Sequence, residues 1–149
     1  MTGLISRTKK TSDDGVRLRL DPQSSRTTVL DGAWWPRSTD AVAELPALVD
    51  ALAGSRGDIT NVLLNTSEWD QPHPRRVGAG RGALRLGWFT SQPAGLVTLM
   101  SDFGRDRFDL LVIPPGASRK SADVGLAAAA DPDDRRHTPE LLAEMRQTA

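Results

Sequence analysis

The chain has 149 residues, nineteen basic and nineteen acidic side chains, two histidines and no cysteine. A chain of this length buries about 70% of its unfolded surface as a single domain, so it needs neither disulfides nor a metal to sustain a core. The missing cysteine excludes a thiol nucleophile, an iron–sulfur cluster and a cysteine-ligated zinc, and the balanced charge excludes a global field that would recruit a polyanion.

Residues 1–14 are polar, carry Lys9-Lys10 and Asp13-Asp14, and show no apolar period, which predicts a disordered arm. The opening residues lack the apolar stretch of a leader, and no later run is long enough to cross a bilayer, so the expected location is cytoplasmic. A single domain is expected over residues 15–132, with a charged linker and a C-terminal helix over 133–149.

The domain opens with Val16-Arg17-Leu18-Arg19-Leu20, whose alternation predicts a half-buried strand with both arginines facing out. A turn at residues 21–25 leads to a second strand, residues 27–30, that delivers Trp34 and Trp35. Adjacent residues of a strand point to opposite faces, so only one of these two indoles can join a given core face. Val42, Leu45, Val49 and Leu52 then fall at helical spacing, capped by Ser38 or Asp40 and stopped at Gly54. Pro46 lies within that stripe and predicts one kinked helix.

Strands follow at residues 59–65, 75–77, 84–89, 96–100 and 108–113, separated by turn residues. Leu84, Leu86 and Trp88 should share a face, and Leu110-Leu111-Val112-Ile113, apolar on both faces, should be a central strand. Residues 101–106 suit a hairpin, residues 118–130 a weakly amphipathic helix, and Thr138-Pro139-Glu140 a helix start. Short links between strands predict an α+β fold: a curved, mainly antiparallel sheet of about six or seven strands, with two or three helices packed on one face.

Five segments resemble an uncharacterised actinobacterial family of domain-of-unknown-function proteins. They are Asp31-Gly32-Ala33-Trp34-Trp35-Pro36-Arg37-Ser38, Glu44-Leu45-Pro46-Ala47-Leu48, Trp69, Arg85-Leu86-Gly87-Trp88-Phe89 and Asp109-Leu110-Leu111-Val112-Ile113-Pro114-Pro115. The resemblance spans residues 16–132 and implies a shared architecture; it carries no activity, cofactor or catalytic residue.

No catalytic constellation is visible. Gly78-Ala79-Gly80-Arg81-Gly82 leads into a strand and lacks the Lys-Ser/Thr ending of a phosphate loop, so it reads as a hairpin loop. His73 and His137 have no partner at ligand spacing, and neither metal nor cofactor is expected. What remains is the set Trp34, Trp35, Arg37, Trp69, Arg75, Arg76, Arg85 and Trp88, in which indoles and guanidinium planes stack on flat ligands or on one another.

The favoured expectation is a noncatalytic binding or regulatory module that holds a small ligand, a partner protein or a second copy of itself through Trp34, Trp35, Arg37, Trp69 and Arg85, with Trp34 at the surface. The plainer alternative makes Trp35 and Trp88 core anchors, with Trp34 covering an edge and arginines lying across aromatic faces. A second class is nucleic-acid binding through Arg17, Arg19, Arg75, Arg76, Arg81 and Arg85. A third is an enzyme whose acid–base site would pair Asp31 or Asp102 with a buried arginine.

Overall fold

The computed structural model describes residues 16–21, 30–56, 58–78, 83–101, 106–131 and 136–148. Among them are seven strands, β1 (Leu18–Leu20), β2 (Gly32–Trp34), β3 (Ile59–Asn65), β4 (Arg76–Gly78), β5 (Ala83–Phe89), β6 (Leu96–Ser101) and β7 (Asp106–Val112). Three helices, α1 (Ala41–Arg56), α2 (Arg119–Ala129) and α3 (Thr138–Thr148), and a 3-10 turn, Thr66–Glu68, complete the described elements. The expected arm, most of the turn expected at residues 21–25, most of the strand expected at residues 27–30, part of the charged linker and parts of two hairpin loops lie outside the described residues.

The strands form one mixed sheet in the order β1-β2-β7-β6-β3-β5-β4. Four neighbouring pairs are antiparallel, including the expected β4/β5 and β6/β7 hairpins. The β2/β7 and β3/β5 pairs are parallel, because each joins strands separated by other elements rather than by a tight turn. The α+β class and the strand count therefore hold.

The helices, however, lie on both faces of the sheet, not on one. Trp34, Leu110, Val112, Val97, Leu99, Val62, Leu64, Leu84 and Leu86 pack with Leu45, Leu48 and Leu52 of α1 in one core. Ala33, Trp35, Leu111 and Ile113 pack with Ala122 and Ala129 of α2 and Leu141 and Met145 of α3 in the other. The alternation of β2 and β7 between the two sets is the pleat itself. Leu110 to Ile113 are all buried, as expected of a strand covered on both sides.

The α1 stripe is narrower than expected. Leu45, Leu48, Val49 and Leu52 are buried, each such side chain contributing about 1.5–3 kcal/mol, whereas Val42 is 42% exposed. Asp40 caps the helix, its Oδ1 accepting from the Ala43 N–H at 3.3 Å. Pro46 lies inside the continuous helix, and the carbonyl left without its N–H partner belongs to Val42, which is on the solvent side. The helix runs past Gly54 to Arg56.

Glu68, in the 3-10 turn, accepts the Gly95 N–H on both carboxylate oxygens, at 2.9 and 2.8 Å, and so ties the end of β3 to the turn before β6. Burial pushes its pKa up, opposed by the Gly95 hydrogen bond. The folded protein thus holds this proton more tightly than the unfolded chain. Its contribution to stability is present at low pH and is lost as pH rises from the ordinary value of 4.5 through the raised one. Glu68→Gln keeps the acceptor and removes the titration. Urea unfolding across that window should show the variant gaining on the parent as pH rises; parallel profiles would refute the burial effect.

Candidate functional site

The four tryptophans occupy three different environments. Trp34 is 1% exposed and stacks on Trp69, with ring centroids 5.7 Å apart and planes 20° apart. Both belong to the α1-side core, so neither offers a surface for a partner, and the expectation of Trp34 as an exposed anchor is corrected. Its physical basis failed because helices cover both faces of β2, leaving no solvent side for either indole. Trp88 shares the face of Leu84 and Leu86 as expected; it stacks on His73 at 4.2 Å and donates from its indole N–H to the Pro74 carbonyl at 2.8 Å.

Trp35 lies in the opposite core and is built into a charged cleft. Its indole N–H donates to the Pro114 carbonyl at 3.1 Å, which fixes the ring beside the end of β7. The Arg17 guanidinium lies 3.7 Å from the ring centroid, donating from Nε to the Trp35 carbonyl at 3.0 Å and from Nη2 to the Pro36 carbonyl at 3.1 Å. A second guanidinium, that of Arg119 in the first turn of α2, lies 5.9 Å from the same centroid. Cation–π attraction holds such groups against an indole, by about 0.5–1 kcal/mol where exposed and more where desolvated.

Between β1 and α2 this arrangement leaves a cleft of about 640 Å³, lined by Arg17, Arg19, Trp35, Arg119, Asp123 and Leu126 among others. Among the described residues its lining has three arginines and one carboxylate. Asp123 pairs with Arg119 at 3.4 Å, but both side chains are more than half exposed, so the pair is weak and readily exchanged for another anion. Burial, reinforced by the like charges of Arg37 and Arg119 and opposed by Glu44, pushes the Arg17 pKa below its ordinary value. An unfavourably crowded cation of this kind gains from an arriving negative charge.

The sequence-derived sets are only partly brought together. Arg37 is exposed next to Arg17, with its backbone N–H donating to Glu44 at 3.1 Å. Arg17 and Arg19 belong to the β1 edge of the sheet. Arg75, Arg76 and Arg85 are exposed around β4 and β5 at the other edge, five to six strand spacings away, about 24–29 Å. The six-arginine patch does not form as one surface, and Arg81 lies outside the described residues. Arg119 was missed: it is remote from Trp35 in the chain, and its only local signal is the helix start after Ser118, whose side chain accepts from the Ser121 N–H.

Asp31 has a structural task, its Oδ2 accepting the Asp109 N–H at 2.9 Å across the β2/β7 seam. Asp102 lies outside the described residues. Among the described residues no group of three or more histidine or acidic side chains is placed to hold a metal, and no helix is long and apolar enough to cross a membrane.

A family model described as a family of unknown function, DUF5994, matches residues 17–129. No curated protein matches the chain, and no solved structure does.

Proposed function

The chain belongs to the DUF5994 family, and we propose that it is a noncatalytic binding module whose β1/α2 cleft holds a small anionic ligand against the Arg17 and Arg119 guanidinium groups that gather over the buried Trp35 ring. The observation that carries this reading is the convergence of Arg17 and Arg119 on one indole beside a cleft of about 640 Å³. Guanidinium groups supply paired donors to a carboxylate or phosphate, and the apolar stretch of the lining, with Leu18, Leu126 and Ala127, accepts a flat or aliphatic body. Among the described residues the lining holds no histidine and a single carboxylate, Asp123, which favours holding an anion over moving a proton. Arg17 is bonded to two backbone carbonyls and acts as a fixed wall, whereas exposed Arg119 is the adjustable contact. A cytoplasmic setting in an actinobacterial cell goes with this reading, supported by the lack of cysteine and by the tryptophan and proline motifs.

The sign of the ligand charge provides the test. Phenyl phosphate should shift the Trp35 indole N–H resonance and bind with an affinity that Arg119→Ala lowers roughly tenfold, the loss of one charge-assisted hydrogen bond, with little change in melting. Benzylamine, of similar size and opposite charge, should not bind. Equal response to both compounds, or to neither, would overturn the proposal.

A further inference from the structure

The half of the sheet that α2 and α3 leave uncovered carries a second surface of different character. The core on that side draws on β2, β7 and Leu96 and takes no residue from β3, β4 or β5. Across β4, β5, β3, the end of β6 and the start of β7, the register aligns Arg76, Arg85, Asn61, Met100 and Arg107. The line spans four strand spacings, about 19 Å. All three of its arginines are exposed, while Asn61 and Met100 are half-buried.

One row and two rows on from Arg85 along β5 lie Gly87 and Phe89. Phe89 is 47% exposed, and its ring leans back over Gly87. A Cβ at Gly87 would lie 2.7 Å from the Phe89 ring and 3.0 Å from a Leu63 methyl, so the absent side chain is what lets the ring lie down on the sheet. The result is an exposed aromatic platform on the face that carries the arginine row. No acidic residue stands in the row itself; Asp109, two residues along β7 from Arg107, accepts from Thr98 at 2.6 Å and from Arg107 at 3.4 Å, and the β4 and β5 end of the row carries Arg76 and Arg85.

We propose that this open sheet face binds single-stranded nucleic acid, with Phe89 stacking a base and Arg76, Arg85 and Arg107 contacting the backbone. Charge complementarity selects this occupant: a second copy docked face to face would set arginines against arginines, whereas a polyanion meets them favourably. A flat ring on an open face accepts any base, since every base presents a π surface, and an unpaired strand exposes those surfaces as a duplex does not. The balanced net charge of the chain predicts modest affinity confined to this face.

The test is fluorescence anisotropy of the full chain with a labelled oligothymidylate about twelve nucleotides long, a duplex of equal length and a polyglutamate peptide. Single-strand binding should weaken steeply as salt rises. Phe89→Ala should weaken it at least fivefold, and Arg85→Gln should weaken it and reduce the salt slope by about one unit. Gly87→Ala, which meets only the movable ends of Phe89 and Leu63, should lift the ring and weaken binding while the protein still melts cooperatively. Arg119→Ala should leave it unchanged, which separates this surface from the cleft. No binding, equal binding of duplex or polyglutamate, or binding indifferent to Phe89→Ala would overturn the proposal.

Discussion

Trp34→Ala is expected to destabilise the protein by about 3–5 kcal/mol, the cost of truncating a buried aromatic whose surroundings cannot collapse into the space. For a chain of this size that lowers the melting temperature by roughly 10 °C or more. The indole is 1% exposed, lies in the core with α1 and stacks on Trp69, so its removal leaves a cavity and strips Trp69 of its aromatic neighbour. Urea unfolding of Trp34→Ala, Trp69→Ala and the double variant measures both effects. The double variant should cost less than the sum of the single ones, by about 0.5–1.5 kcal/mol for the lost stack. An unchanged melt for Trp34→Ala would return this ring to the surface as a docking anchor.

Gly32→Ala should produce the second large effect, and by a different route. A Cβ at Gly32 would stand 2.2 Å from the Arg19 carbonyl oxygen and 2.9 Å from the Leu20 Cα, both backbone atoms that cannot rotate aside. Strand β1 has three residues and pairs with β2 alone, at the sheet edge, so it is the element that must give way. The expected cost is at or above the upper end of the 1–3 kcal/mol typical of overpacking. Displacing β1 also moves Arg17 off Trp35 and dismantles the anion cleft. Hydrogen exchange should therefore lose protection at Arg19 and Asp21, the amides of this edge strand that face β2, while β3, β5 and β6 keep theirs, and phenyl phosphate binding should disappear with it. Retained protection in β1 would show that the two strands do not approach this closely.

Much of the local structure was legible because it depends on neighbours in the chain. Residues 59–65 form the expected strand, and Ser118 and Thr138 stand at the starts of the expected helices, since period-two alternation and capping chemistry act over a few residues. The opposite orientation of Trp34 and Trp35 was also legible, because adjacent strand residues alternate whatever the sheet. Their burial was not. An apolar stripe shows that a helix must be covered, but not which face of the sheet covers it, so the pattern does not reveal that α1 lies on one face and α2 and α3 on the other.

The arginines make the same division in functional terms. The exposure of Arg19, Arg76 and Arg85 on their strands followed from the pattern, as did the laying of a guanidinium across an indole, whereas Arg17, expected to face out, is half-buried over Trp35. Their grouping came from strand order: β1 and β4, both arginine-bearing, close opposite edges of the sheet. Arg119 reaches Trp35 because β2 pairs in parallel with β7, whose chain then turns into α2. By itself, then, the sequence determined the elements, the alternation along each strand and the absence of thiol chemistry. Only the tertiary structure decided which indoles are buried and which arginines converge, because long-range strand pairing sets distances that no local periodicity encodes.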